Sequence, residues 1–219
     1  MPVAVTLSAG TTGGGALLVL AIVLPVTGAL FSLLAGRYAG RVALVVMPLG
    51  LVIAVAIAAG VWRSRKVLQY VIGGWDTPLG VALRADGFSA VMLVAAALLI
   101  AGIGLFARAQ FPTRSQTEAR APLVFWTLLL GLWGGLNAVF LGADLFNLFV
   151  ALELLTFTAV PLVCLDGRAD TLAASLRYLL FALLGSALYL LGAVLLYGDR
   201  KSTRLNSSHE IPSRMPSSA

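Results

Sequence analysis

One acidic side chain, Glu153, lies in the middle of an otherwise apolar run that extends from Leu145 to Leu165. A helix that begins at Leu145 and rises about 1.5 Å per residue carries Glu153 roughly 12 Å into a hydrocarbon core about 30 Å thick. An acid at that depth costs about 2.5 to 3.5 kcal/mol on insertion scales, and such acids face protein or water and serve ion pathways. The sequence therefore predicts that Glu153 faces protein or water inside a bundle of helices.

The residues that share a helix face with Glu153 support an inward-facing position. Spacings of three, four, seven and eight residues place these side chains near it: Phe146, Phe149, Thr156, Phe157, Val160 and Pro161. Pro161 has no backbone N–H to donate to the Phe157 carbonyl, so a polar acceptor is freed one turn beyond the acid.

Other polar residues near this run have ordinary structural interpretations that stay open beside functional ones. Asp144 stands where the helix begins, and Asp86 stands before another apolar run, so both are predicted N-terminal caps. Asn147 either hydrates or orients an ion pathway or forms a hydrogen bond between packed helices. Arg177 lies one or two turns inside a later run, where an arginine can extend to the headgroups.

The composition predicts an all-α membrane protein. Hydrophobic residues make up 60% of the 219 residues and charged residues only 11%, against about one quarter charged residues in soluble domains. Six apolar windows are long enough to cross a bilayer: Ala16 to Leu34, Val42 to Trp62, Phe88 to Ala107, Pro122 to Leu141, Leu145 to Leu165 and Thr171 to Tyr197. The N-terminus has no basic residue before the first window, which favours a membrane span over a signal peptide.

The connection between the second and third windows contains two β-leaning runs, VLQYVI and LGVALRA, separated by the turn-forming residues GGWDTP. This pattern predicts either a short hairpin on the outer face or an irregular cap.

With the N-terminus outside, the cytoplasmic connections hold Arg37, Arg41, Arg108, Arg114, Arg120 and Arg168, against Arg63, Arg65, Lys66 and Arg84 on the other side. This imbalance favours an outside N-terminus.

The fourth window holds Gly131, Gly134, Gly135 and Ala138, small residues that permit close helix packing.

The C-terminal segment 199–219 changes abruptly to a composition rich in Ser, Arg and Pro. Its DRKSTRLNSSH back-translates to a nucleotide sequence that resembles a widely used sequencing adapter, and SRMPSSA fits the adapter's continuation. We interpret the segment as a disordered, translated artefact, although a polar tail is the alternative. The predicted division is then 1–121 for three helices and the hairpin, 122–198 for the start of an ion-translocating core, and 199–219 for the artefact.

The residue types in this sequence do not indicate an enzyme. There is a single cysteine, Cys164, and the only histidine, His209, lies in the excluded segment. No metal-ligand spacing, phosphate-binding glycine motif or nucleophile triad is present. We therefore predict no enzyme activity, no cofactor, no metal and no nucleic-acid partner.

Two stretches, ADLFNLFVALELL (Ala143 to Leu155) and SLRYLLFALLGSALYLLGAVLLYG (Ser175 to Gly198), resemble the antiporter-like proton-translocating membrane subunits. This superfamily serves Mrp-type cation/proton antiporters, respiratory complex I and membrane-bound hydrogenases, and the branch of the Mrp D subunit is nearest. VIGGWDTPLGVALRADGFSAVMLV (Val71 to Val94) resembles the region before the third helix of the same superfamily.

The resemblance implies an N-terminal fragment of a fold of about fourteen helices that includes inverted repeats. It also implies a proton or Na⁺/H⁺ pathway in which Glu153 pairs with a lysine on a seventh helix. Asp144, Asn147 and Arg177 are our further candidates for that pathway. Relatives usually carry lysine at the Arg177 position, and arginine keeps its proton at any relevant pH. The implied partners are other membrane subunits, the lipid bilayer, protons and sodium ions, in a bacterial inner membrane. A membrane component of a redox-driven complex and a non-transporting membrane scaffold are the alternatives.

Overall fold

The computed structural model describes residues 14–72, 80–110 and 120–209, without the side chains of Gln110, Asp166 and 199–209. The described chain contains six α-helices and one antiparallel hairpin: α1 Ala16–Ala35, α2 Ala39–Ser64, β1 Leu68–Val71, β2 Ala82–Ala85, α3 Gly87–Gln110, α4 Arg120–Leu141, α5 Leu145–Val163 and α6 Ala169–His209. Helix α6 continues past Gly198 into the segment predicted to be disordered, while 210–219 lie outside the described residues. The predicted domain division and the artefact remain predictions.

Five candidate membrane spans satisfy length and hydropathy among the described residues, and the first of them, Ala16–Ser64, contains both α1 and α2. The chain reverses between these helices through a short 3-10 helix, Gly36–Tyr38, where Gly36 adopts a positive φ of 55°. Without a Cβ, Gly36 adopts this positive φ at little cost. Pro25 and Pro48 lie inside α1 and α2, as membrane helices tolerate where neighbours satisfy the freed carbonyls.

Helices α1 to α4 form the packed core. Small residues let these helices approach closely: a Cβ on Gly50 of α2 would lie 2.1 Å from Trp133 of α4, and one on Gly134 would lie 2.7 Å from Val26 of α1. Trp133 is fully buried at the centre of this contact. The predicted role of the α4 glycines in close packing is therefore confirmed.

The hairpin predicted between α2 and α3 is present, so the alternative of an irregular cap was wrong. Strands β1 and β2 pair in register from Leu68 opposite Ala85 to Val71 opposite Ala82. The turn residues Gly73, Gly74, Asp76 and Pro78 lie outside the described residues. Leu68, Leu83 and Ala85 are buried, so one side of the hairpin packs onto the end of the helical bundle where α1, α3 and α5 begin.

Candidate functional site

The start of α5 is fixed by a side-chain cap and by the hairpin. Asp144 Oδ1 accepts a hydrogen bond of 2.8 Å from the Asn147 backbone N–H, and Asp144 Oδ2 accepts one from the Asn147 side-chain amide. This geometry confirms Asp144 as the N-cap. The described bonds of Asn147 stay within its own helix, so the predicted interhelical bond is not among them.

The hairpin reaches the same point from the other side. Ala143 donates its backbone N–H to the Ala82 carbonyl at 3.1 Å, and Leu83 forms an isolated antiparallel bridge with Gly142. Gly142 and Ala143, which precede the Asp144 cap, thus extend the sheet by one short segment. Sequence reasoning missed this connection, because GAD before a helix is a common capping sequence that carries no signal of a strand partner.

Glu153 lies in the middle of α5 and is half-buried. The face of α5 that packs on α4 carries Leu155, which lies against Gly135, and Thr158, which lies against Gly131. Glu153 is not on that face. Exposed Phe146, Val150 and Phe157 flank it, and no described residue forms a hydrogen bond or ion pair with its carboxylate.

The predicted buried acid is therefore only partly covered in the structure. Along the side of α5 that carries Glu153, Val160 is buried about two turns further on, whereas Phe146 and Phe157 are exposed. Helix α6 covers one flank of α5, and no described helix covers the other. Glu153 is partly exposed because, among the described residues, no helix packs on that flank.

A cleft of about 250 Å³ lies between α5 and α6, and Glu153 is not part of its lining, which consists of Phe149, Leu152, Thr156, Ala182, Gly185, Ser186 and Tyr189. Three hydroxyls enter its lining. Thr156 donates to the Leu152 carbonyl at 3.0 Å, Ser186 to the Leu183 carbonyl at 3.0 Å, and Tyr189 to the Leu145 carbonyl on the facing helix at 3.2 Å. Sequence reasoning named Thr156 but missed the two α6 hydroxyls, whose only signal was their spacing of three residues.

Arg177 does not join Glu153. It is exposed, and nine residues separate it from Ser186, which at 3.6 residues per turn puts the two on opposite sides of α6. The bond between Tyr189 and Leu145 sets the antiparallel register, so Arg177 lies level with Phe157, about one turn from the level of Glu153. Its predicted place in the ion pathway stays a prediction.

The helices and the acid together define a class of protein: a multispan membrane protein with a single acid in the middle of its fifth helix. No family model matches the chain. The chain is 31% identical over 134 residues to the D subunit of the Na(+)/H(+) antiporter of Bacillus subtilis (strain 168), covering 61% of this chain and 26% of that protein. It is 35% identical over 155 residues to the D subunit of a "Probable K(+)/H(+) antiporter" of Rhizobium meliloti (strain 1021), covering 71% of this chain and 28% of that protein.

Two solved structures have the same arrangement of helices. The chain superposes on the membrane-bound sulfane sulfur reductase (MBS), an archaeal respiratory membrane complex, with a TM-score of 0.73 and 25% identity over 83% of this chain and 37% of that one. It superposes on the Mrp complex from Dietzia sp. DQ12-45-1b with a TM-score of 0.69 and 28% identity, over 84% of this chain and 34% of that one.

The predicted resemblance is confirmed: the chain has partial homology to the D subunit of Mrp-type antiporters and to the antiporter-like subunits of the complex I and MBS type. It spans 26% and 28% of the length of the Bacillus and Rhizobium relatives. Those relatives are transporter subunits, and the homologues of known structure sit within multisubunit membrane complexes.

Proposed function

We propose that the chain is part of an ion-translocating subunit of a multisubunit cation/proton antiporter, with Glu153 as the group that takes up and releases the proton. The observation that carries this proposal is the position of the acid, in the middle of a membrane-length helix of a chain homologous to the D subunit of such antiporters. An acid at this depth is costly unless it serves a pathway or finds a partner. No described side chain is that partner.

The open flank of α5 supports a second part of the proposal. We propose that the chain corresponds to the first six of about fourteen helices in a fold with inverted repeats, and that later helices cover this flank. Among them is the lysine that the resemblance pairs with Glu153. Burial disfavours the charged form of a carboxylate and a nearby cation favours it, so a lysine that alternately approaches and withdraws would drive proton release and uptake.

The test is Glu153→Gln in the full-length subunit within its complete complex. We expect cation-dependent proton exchange in inverted membrane vesicles to fall to the level of vesicles that lack the complex, because glutamine keeps the shape of the side chain but cannot carry the proton. Asp86→Asn is the matched control, since it makes the same acid-to-amide change outside the span. Blue-native electrophoresis checks that both variants assemble. Normal exchange by an assembled Glu153→Gln complex would leave only the scaffold role.

The likeness to MBS favours a second candidate, an antiporter-like subunit of a redox-driven complex. The two candidates differ in their energy source. Vesicles of an antiporter exchange ions when a gradient is imposed, whereas a redox-driven complex pumps when an electron donor is supplied. Neighbouring genes for flavin or iron–sulfur subunits would favour the redox complex, and a run of small hydrophobic subunits would favour the antiporter.

A further inference from the structure

Two arginines and a tyrosine form a compact group at the turn between α1 and α2. The Arg37 guanidinium donates a hydrogen bond of 2.6 Å to the Tyr38 hydroxyl. The guanidinium carbons of Arg37 and Arg41 lie 4.8 Å and 5.1 Å from the centroid of the Tyr38 ring. Both cations are therefore held against one aromatic ring by cation–π attraction.

This group carries two positive charges that no described acid neutralises. Arg37, Tyr38 and Arg41 are all exposed, and within the described residues neither arginine forms an ion pair with an aspartate or glutamate. Each guanidinium keeps free N–H donors in a planar fork, a geometry that matches the oxygens of a phosphate.

The turn that carries the group is anchored on the bundle. Ala39 is 2% exposed, and a Cβ on Gly40 would lie 3.0 Å from Nε1 of Trp126 in α4. Because the backbone between the two arginines packs this closely, the arginines project from a fixed base. Less side-chain and backbone freedom is then lost when they bind a ligand.

Exposed apolar side chains precede these charges on the last turns of α1. Phe31 and Leu34, about two turns and one turn before Tyr38, are 63% and 82% exposed on the last turns of α1. The turn joins two membrane-length helices, so it stands at the level of the headgroups. Positive charge at this level above an apolar surface is the complement of a phospholipid, with its phosphate at the interface and its acyl chains below.

We propose that Arg37, Tyr38 and Arg41 bind the phosphate of an anionic phospholipid whose acyl chain lies along Phe31 and Leu34. Tyr38 acts as a positioning residue: its ring holds the two guanidinium groups beside each other, and its hydroxyl orients Arg37. The site is at the end of the bundle opposite the hairpin and does not depend on ion transport through Glu153.

The proposal is tested on the purified 219-residue chain in a neutral detergent by native mass spectrometry, titrated with phosphatidylglycerol or phosphatidylcholine. We expect phosphatidylglycerol to bind preferentially. The double variant Arg37→Gln/Arg41→Gln should weaken its binding about 25-fold, a factor of about 5 for each basic residue at a membrane surface. Tyr38→Leu, which keeps both charges, should weaken it about threefold through loss of the cation–π contacts.

The matched control is Arg63→Gln/Lys66→Gln, which removes two exposed charges from the opposite end of α2. It should leave the binding of phosphatidylglycerol within about twofold, because the effect of the first pair is local. Circular dichroism verifies that each variant is folded. Equal weakening by both double variants would overturn the proposal in favour of general charge attraction. Displacement of the lipid by excess inorganic phosphate would overturn it in favour of a site for free phosphate.

Discussion

The first four helices and the last two differ sharply in how much of their surface is covered. In the most apolar stretch of each span, 39% of the residues are buried in α3 and in α4, against 17% in α5 and 6% in α6. Trp133, Leu129 and Leu130 of α4 are almost fully buried, whereas Phe181, Leu180 and Leu195 of α6 are mostly exposed. Helices α1 to α4 bury their apolar side chains against one another, whereas most of the side-chain surface of α5 and α6 is exposed.

This difference coincides with the distribution of candidate chemistry. The packed region α1 to α4 holds no acid inside its described helices, and its buried Asn137 bonds from α4 to the Ala21 carbonyl of α1. The open region holds Glu153 and the hydroxyl-lined cleft. The open flank of α5 is the surface on which we propose that further helices, among them the one with the lysine, pack beside Glu153.

The largest expected effect that separates the two regions comes from adding one methyl group to a glycine. Gly50→Ala places a Cβ 2.1 Å from the Trp133 ring, which is too buried to move aside. We expect a loss of about 3 kcal/mol in the free energy of unfolding, at the upper end for overpacked cores. Thermal unfolding in detergent, followed by circular dichroism, measures it.

The matched control is Gly185→Ala in α6, where nothing lies within 4 Å of an added Cβ. Alanine is the better helix former, so this change should be neutral or stabilise by up to about 1 kcal/mol. If Gly185→Ala costs as much as Gly50→Ala, the two regions do not differ in packing as described.

The sequence was sufficient to predict the helices and the hairpin. Long apolar windows bounded by Arg, Pro and Gly correspond to α1 through α6 because the bilayer requires uninterrupted hydrophobic length. The predicted start of the fifth window, Leu145, is the first residue of α5 because Asp144 provides a local capping signal. Such features are encoded within a few residues of where they act.

The environment of Glu153 could not be predicted in the same way. Whether an acid in a helix is enclosed depends on which helices pack around it, and a spacing of three or four residues identifies a face but not its neighbour. The same limit applies to Tyr189, whose bond to the Leu145 carbonyl joins residues 44 positions apart. The pairing of β2 with Gly142 and Ala143 is also long-range and left no local signal.

A smaller effect should distinguish a hydrogen bond between helices from one within a helix. Asn137 in α4 is buried and donates from its side-chain nitrogen to the Ala21 carbonyl of α1 at 2.7 Å. We expect Asn137→Ala to cost about 1 kcal/mol, as interhelical hydrogen bonds in membranes do. Ser186→Ala is the control, because Ser186 bonds only to Leu183 on its own helix among the described contacts. A cost below about 0.3 kcal/mol for Asn137→Ala, half the average in membrane helices, would contradict an interhelical role for this amide.

The smallest expected effect concerns pH and the cap of α3. Asp86 Oδ1 accepts the Ser89 backbone N–H at 2.9 Å, and this bond, against a smaller opposing effect of burial, holds the pKa of Asp86 below its ordinary value. Because the pKa is lower in the folded state, the stabilisation is present above the ordinary carboxyl pKa and is lost as the pH falls through the folded value. Asp86→Asn keeps an N-cap acceptor and cannot titrate, so the acid-side loss of stability should be shallower in this variant. Thermal unfolding of both proteins between about pH 7 and pH 3 measures the difference, and identical profiles would show that this carboxylate is not coupled to folding.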